Sequence, residues 1–312
     1  MAFTAQDVKA LREATGAGMM DCKKALTEAN GDMEKATEYL REKGLAAAAK
    51  KAGRIAAEGI VYVGICDKCG VASIIEVNSE TDFVAKNADF KKFVADLATV
   101  VMLENPADVE ALKTCKYPDS DKNVAEMLQE KVLTIGENLQ IRRFARFDAS
   151  TVNVGYTHMG GVIGVLVGLE VSDDLKGNPV VAELGLDIGM QAAAMRPSYL
   201  DKSEVDEATL AKEKEILLAQ AKEENAQSAK PKPDAIIEKM VMGRIGKYYE
   251  ENCLLQQAFV KENKVSVEKH IAEVAKELGG TIKLVKFLRY EKGEGLAKRE
   301  DNFAEEVASM AK

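Results

Sequence analysis

The sequence has no Trp, six Pro and only two His, and aromatic residues make up 5% of it. So few rings leave little from which to build a stacking platform for single-stranded RNA. Two histidines, His158 and His270, are also little material for a nucleophile held by a base and an orienting acid, and no local signature of such a group occurs. No catalytic residue, and hence no enzyme, is expected. Apolar runs stay short of the roughly 20 residues of a membrane span, which gives no membrane partner. Positive charge is in deficit. The 43 Lys and Arg against 51 Asp and Glu leave a formal charge of -8, which weighs against direct nucleic-acid binding because phosphate contacts need a cationic surface. Glycines crowd the stretch from Gly155 to Gly168, yet it has neither a P-loop Lys-Ser/Thr ending nor a GxGxxG turn opening a helix, so no cofactor is expected. Five cysteines is an odd number, against a closed disulfide framework, and the opening Met-Ala-Phe-Thr-Ala-Gln-Asp has neither a basic leader nor an apolar stretch. Together these lead to the expectation of a cytoplasmic location with reduced thiols.

What is present is 312 residues with 46% apolar and 30% charged composition, a folded chain long enough for more than one domain. From Thr4 to Lys43 the pattern predicts three short helices, with Thr4 as N-cap and Gly16, Gly18, Gly31 and Gly44 as punctuation. Val8 and Leu11, then Met19, Ala25 and Leu26, then Met33, Ala36, Tyr39 and Leu40 fall at helical spacing and form a candidate core. The Ala and Lys run from Leu45 to Lys51 reads as a helical or flexible linker.

At Gly59 the period changes to that of strands. Ile60 to Ile65 and Val71 to Val77 are rich in β-branched residues and joined by a short turn, which predicts a hairpin. Val61-Tyr-Val-Gly-Ile with Gly70-Val71 is echoed by Val152-Asn-Val-Gly-Tyr with Gly161-Val162 at a spacing of 91, five of eleven positions being identical. Amphipathic helices follow at the same offset, marked by Phe90, Phe93, Leu97 and Val101 and by Val181, Leu184, Ile188 and Ala192. Both patterns suit a helix covering one face of an antiparallel sheet, so the fold class is α+β with two related subdomains.

Between Tyr199 and Pro233 the composition turns to Lys, Glu, Ala and Gln with a thin stripe of Leu210, Ile216 or Leu217, and Ala221. This is one arm of a projecting helical hairpin or a solvated surface helix. A new apolar pattern opens after Pro233 with Ile236, Ile237, Met240 and Val241. A helix near Val267 to Leu278, a strand at Ile282 to Arg289 and a last helix near Phe303 to Met310 end the chain, the strand completing the second sheet.

Cys66-Asp-Lys-Cys69 is the only CxxC. Structural zinc needs four ligands, and Cys22, Cys115 and Cys253 show no second paired spacing. A thioredoxin-like thiolate sits at a helix N-terminus, whereas this pair falls at a turn. It reads as incidental, and no metal site is expected. The segment Asn78-Ser-Glu-Thr-Asp-Phe-Val-Ala-Lys-Asn87 is different, for it puts an acid and an aromatic at a loop tip. Either Asp82 caps the next helix while Phe83 enters the core, or the pair faces a partner.

Thr81-Asp-Phe-Val-Ala-Lys-Asn87 resembles the signature of the elongation factor Ts family, and Thr15-Gly-Ala-Gly-Met-Met-Asp-Cys-Lys-Lys-Ala-Leu26 resembles that family's second signature. Gly136-Glu-Asn-Leu-Gln-Ile-Arg-Arg143, His158 with Gly164-Val-Leu-Val167, Glu238 to Arg244 and Phe303 to Val307 extend the resemblance over essentially the whole chain. It implies a ubiquitin-associated-like three-helix domain at 1–52, core subdomains at 53–146 and at 147–198 with 234–292, a helical hairpin at 199–233 that could mediate self-association, and a terminal module at 293–312. It also implies a guanine-nucleotide exchange factor whose partner is elongation factor Tu, with release of GDP from that GTPase. Thr81, Asp82, Phe83 and Val84 would form the wedge that enters the partner near its Mg²⁺ site. Arg12, Met19, Met20 and His158 match further partner-facing positions, although Met19 and Met20 equally suit the small core. Phe303 and Val307 would line an apolar face of the last helix, packed on the core or lying on the GTPase.

Overall fold

The computed structural model describes residues 3–15, 17–228 and 231–297. Thr4 and Asp7 cap the first helix reciprocally. The Asp7 amide donates to the Thr4 hydroxyl at 3.3 Å, and the Thr4 amide donates to the Asp7 carboxylate at 2.6 Å. Helices α1 (Ala5–Thr15), α2 (Met19–Glu28) and α3 (Met33–Lys51) enclose Val8, Leu11, Cys22, Ala25, Leu26, Ala36 and Leu40. Met19 and Met33, expected inside, are exposed. Each is the first residue of its helix, where the side chain leans back past the N-terminus and away from the bundle. Gly16 lies outside the described residues.

The first sheet unit comprises β1 (Glu58–Ile65), β2 (Ala72–Ser79), α4 (Asp82–Lys86), α5 (Ala88–Glu104), α6 (Val109–Thr114), α7 (Val124–Ile135) and β3 (Gln140–Phe147), in strand order β1-β2-β3. Phe90, Phe93, Leu97 and Val101 of α5 pack on Ile60, Ile75 and Val77. The sequence pattern did not disclose β3, because Arg142, Arg143 and Arg146 interrupt the apolar alternation of Ile141, Phe144 and Phe147. Helix α3 continues through Gly44, where a stop was expected, and lies along α7. Leu133 joins the small helical core, and Arg41 pairs with Glu126.

The second unit repeats this plan with β4 (Val152–His158), β5 (Ile163–Val171), α8 (Pro179–Met195), α9 (Glu207–Ala226), α10 (Asp234–Asn252), the short β6 (Ala258–Phe259) and β7 (Glu262–Ser266), α11 (Val267–Leu278) and β8 (Ile282–Glu291). Its order is β4-β5-β8. Val181, Leu184, Ile188 and Ala192 of α8 share a core with Val165, Val167 and Leu169. The two sheets pack back to back through Val61, Ile74 and Phe147 against Leu166, giving helix, sheet, sheet and helix layers. A Cβ at Gly155 or Gly164 would come within 2.7 Å of Val63 or 2.5 Å of Val61, so only glycine permits this approach.

The strand echo is out of step with the structure by one residue. Val61 faces Glu76 with a bulge at Glu76/Val77, while the matching geometry in the second unit has Asn153 facing Gly168 with a bulge at Gly168/Leu169. A one-residue slip exchanges the two faces of a strand. Gly64 accordingly faces helix α5 at Ala98 and Met102, whereas its sequence match Gly155 faces the other sheet. The helices do keep the expected spacing, with α5 and α8 capped by Asn87 and Asn178 and closed by Asn105 and Arg196 in the left-handed region.

Helices α9 and α10 pack through Leu217, Leu218, Ala221, Ile237 and Val241, so the hairpin reading holds over that of a lone surface helix. The hairpin extends to Asn252, and the range 199–233 contains only its first arm. Pro233 is the N-cap of the second arm and marks the turn between the two. Amides of Leu254 and Leu255 donate to the carbonyls of Tyr199 and Leu200 at 2.9 and 3.0 Å and tie the hairpin root to the second core. Among the described residues no helix is long and apolar enough to cross a membrane. The expected last helix, with Phe303 and Val307, lies outside the described residues.

Candidate functional site

Strand β2 ends at Ser79 and the chain turns at once into the five-residue α4, which carries the tip. Its base is braced from the loop after α7. The Glu137 carboxylate accepts from the amides of Glu80 and Thr81, both at 3.0 Å, and from the Thr81 hydroxyl at 2.6 Å. In return the Glu80 carboxylate accepts from the Asn138 amide at 2.6 Å. Gly136, at φ +86, lets α7 end in the left-handed turn that delivers Glu137 to this position. Val84 is buried in the first core, and the Asn87 amide donates to its carbonyl at 2.9 Å. Thr81 and Val84 therefore support the tip from within.

Asp82 and Phe83 point the other way. Phe83 is 77% exposed, so it is not a core residue. Asp82 caps neither helix. Thr81 occupies the N-cap of α4, Asn87 caps α5 by accepting from the amides of Asp89 and Phe90, and the Asp82 carboxylate takes the Lys86 ammonium at 2.6 Å. That hydrogen bond holds the Asp82 carboxyl below the usual range, and the more distant charge of Lys292 acts in the same direction. The Lys86 ammonium also lies 5.7 Å from the centre of the Phe83 ring. An exposed aromatic on a braced loop is a residue already held in place for contact.

His158 ends β4 and is exposed. Its Nδ1 meets the Tyr156 hydroxyl at 3.0 Å, and the two rings stack. The turn that follows is anchored to the first sheet, since the Val61 amide donates to the Gly161 carbonyl at 2.8 Å. Residues Glu58 to Val61 pair with Glu76 to Ser79, immediately before the tip, so the structure brings the turn after His158 and the Asp82–Phe83 tip to the same end of the core. Met159 belongs to this end as well. It is 74% exposed and holds φ +48, an uncommon backbone state for a residue with a side chain. Sequence reasoning missed Met159 and Glu137. A methionine before Gly160-Gly161 was the available sign of the first, and the second carries no sign until the loop is folded.

Arg12, Met19 and Met20 sit apart, on the exposed side of the helical domain where α1 ends and α2 begins. Their exposure removes the core reading of both methionines.

Behind the tip lies the buried Glu76, which accepts from Arg142 at 2.9 Å, Arg143 at 2.6 Å, Asn78 at 3.1 Å and the Gly293 amide at 2.8 Å. The guanidinium of Arg143 stacks on Tyr290 at 4.1 Å. This cluster fastens the end of β8 to the first sheet beside the strand that carries the tip.

A family model described as Elongation factor TS matches residues 80–294, from the base of the tip to the segment held by Glu76. Curated relatives agree over nearly the full length. The elongation factor Ts of Clostridium kluyveri is 53% identical over 98% of this chain and 97% of its own. That of Clostridium perfringens strain SM101 is 53% identical over 99% of both chains, and that of Clostridioides difficile strain 630 is 52% identical over 99% of both. With the braced tip and the second sheet unit inside the matched region, and the relatives covering the rest, the chain is a translation elongation factor and belongs to the elongation factor Ts family.

Proposed function

We propose that the chain is a guanine-nucleotide exchange factor that binds the GDP form of elongation factor Tu and releases its GDP. The observation that carries this reading is Phe83, whose ring is exposed on a loop held by Glu137, Val84 and Asn87. Phe83 is the apolar anchor and Asp82 the polar contact of a wedge directed at the partner's nucleotide site. A Mg²⁺ bound there bridges phosphate oxygens and neutralises their charge, so displacing the groups that support it weakens nucleotide binding. No bond is made or broken by this chain in that process.

His158, with Nδ1 engaged by Tyr156, has Nε2 available to the partner, and Met159 adds apolar surface at the same end. Arg12, Met19 and Met20 supply a second contact through the helical domain, and the α9–α10 hairpin is the element available for self-association. Linkage requires that the chain lower GDP affinity by the same factor that GDP lowers affinity for the chain. The test is the release of labelled GDP from purified elongation factor Tu at substoichiometric amounts of this protein. Many turnovers of release per molecule are expected. Tight binding without acceleration would leave an adaptor and sink the exchange reading.

A further inference from the structure

We propose that Cys66 and Cys69 form a reversible intramolecular disulfide, a thiol-modification site at the β1–β2 turn whose oxidant is a low-molecular-weight disulfide of the glutathione class. The turn folds the Cys69 backbone onto the Cys66 sulfur. The Cys66 amide donates to the Val71 carbonyl and the Gly70 amide to the Cys66 carbonyl, both at 2.8 Å, and Gly70 closes the turn at φ +68. Within it the Cys69 amide donates to the Cys66 sulfur at 3.3 Å. Cys66 is half-buried and Cys69 exposed, so an oxidant in solution reaches both.

The rest of the molecule supplies a contrast. Cys22 and Cys253 are buried, and burial pushes their thiols up, Cys253 to about 11. Partial burial also raises Cys115. Cys66 alone moves down, because the Cys69 side chain, and then the Cys69 backbone amide, hydrogen-bond to its sulfur. The thiolate is the attacking species, so reaction is directed to this turn. Among the described residues no group of three or more His, Cys, Asp or Glu is placed to hold a metal ion. Dithiol–disulfide exchange is therefore the chemistry within reach of the pair alone.

The step balances without a further reagent. The Cys66 thiolate attacks one sulfur of the oxidant, whose own S–S bond breaks, and one small thiolate leaves with a mixed disulfide left on Cys66. Cys69 gives its proton to water, and its thiolate attacks the Cys66 sulfur and expels the second small thiolate. Two protein thiols lose two electrons and the oxidant becomes two thiols. Strand β2 separates this turn from the tip by roughly 23 Å at strand rise, so closing the bond leaves the tip in place.

The test exposes the full chain to glutathione buffers of rising oxidised fraction, followed by alkylation and peptide mass analysis. The expected result is loss of two hydrogens confined to the Cys66–Cys69 peptide and restored by dithiothreitol, with Cys22, Cys115 and Cys253 still open to alkylation after unfolding. Cys69→Ser should instead trap one glutathione on Cys66, and faster than Cys66→Ser traps it on Cys69. Stable glutathione adducts on the unmutated pair, or two free thiols across the whole range, would overturn the proposal. So would one Zn²⁺ bound per pair with the thiols protected from oxidation, an outcome that favours a metal half-site.

Discussion

The two sheet units differ least where they fold and most where they meet the outside. Both have a hairpin, a bulge at the third-strand pairing and a helix capped by Asn87 or Asn178. Counting back from those caps, Val84 and Leu175 are both buried and Asp82 is matched by Asp173. Phe83, however, is matched by Asp174. The first unit makes a full turn of helix in that loop, and the second a 3-10 turn. The second unit is thus an internal control. It keeps the buried residue and the Asn cap without the exposed ring, so those two supports do not require the ring. A second contrast lies deeper, where the strand position of the buried Glu76 corresponds to Gly168, so the second unit has no carboxylate at that point of its sheet.

The comparison is most sharply broken at Glu76. Glu76→Ala leaves Arg142 and Arg143 without their shared carboxylate and should cost about 3 kcal/mol in a denaturant midpoint, the partial exposure of both arginines holding it at the low end for a broken buried pair. Next comes Phe83→Ala, which should slow labelled-GDP release by about 10- to 100-fold, the scale of an interface anchor, while changing stability by no more than about 0.5 kcal/mol. Asp174→Ala should change neither quantity. If Phe83→Ala folds well and exchanges at the full rate, the wedge assignment falls, whatever the family.

Smaller effects sharpen the shared scaffold. Asn87 accepts two amide bonds and Asn178 one, ahead of Pro179, which has no amide to satisfy. Thermal melts should show about 1 kcal/mol lost in Asn87→Ala and roughly half that in Asn178→Ala. Equal losses would mean the caps work alike despite the proline. The least effect is expected at the hairpin root, an element the first unit lacks. Asp201 accepts hydrogen bonds from Ser203 and from Gln256, and its carboxyl is lowered to about 2, chiefly by Ser203. Such a group stabilises fully above its unfolded value of 3.8, and the contribution is lost as pH falls through about 2. Protection of the Ser203 amide, taken relative to its intrinsic exchange rate, should therefore fall as pH drops between these limits, and Asp201→Asn should flatten that dependence.

Much of this was legible before folding, for identifiable reasons. Helix positions such as Phe90, Phe93, Val181 and Ile188 carry a period that survives without tertiary context, and all four are buried. The strand echo was legible as a repeat but misread in phase, because Val61 and Val63 face the other sheet while the echoing Val154 faces α8, and nothing within either strand tells which face the helix will cover. Strand β3 was invisible because its arginines answer Glu76 and the carbonyls of distant segments, partners with no local trace. At the tip the sequence supplied Asp82 and Phe83 but not their direction. Whether a ring at such a loop packs inward depends on Val84 and on Glu137, which lies 56 residues from Thr81.

The placement of β8 has a consequence for synthesis. The first sheet is complete once Phe147 has been made, but β5 waits for β8, which follows the hairpin and ends at Glu291. At ribosomal rates that interval is on the order of 10 to 30 s. During it the face of the first sheet formed by Val61 and Ile74 has no finished partner sheet, and the edge of β5 that β8 will occupy is open. A nascent chain of this protein therefore carries a formed tip on a half-built core, and the pairing of highest sequence separation is the one that closes it.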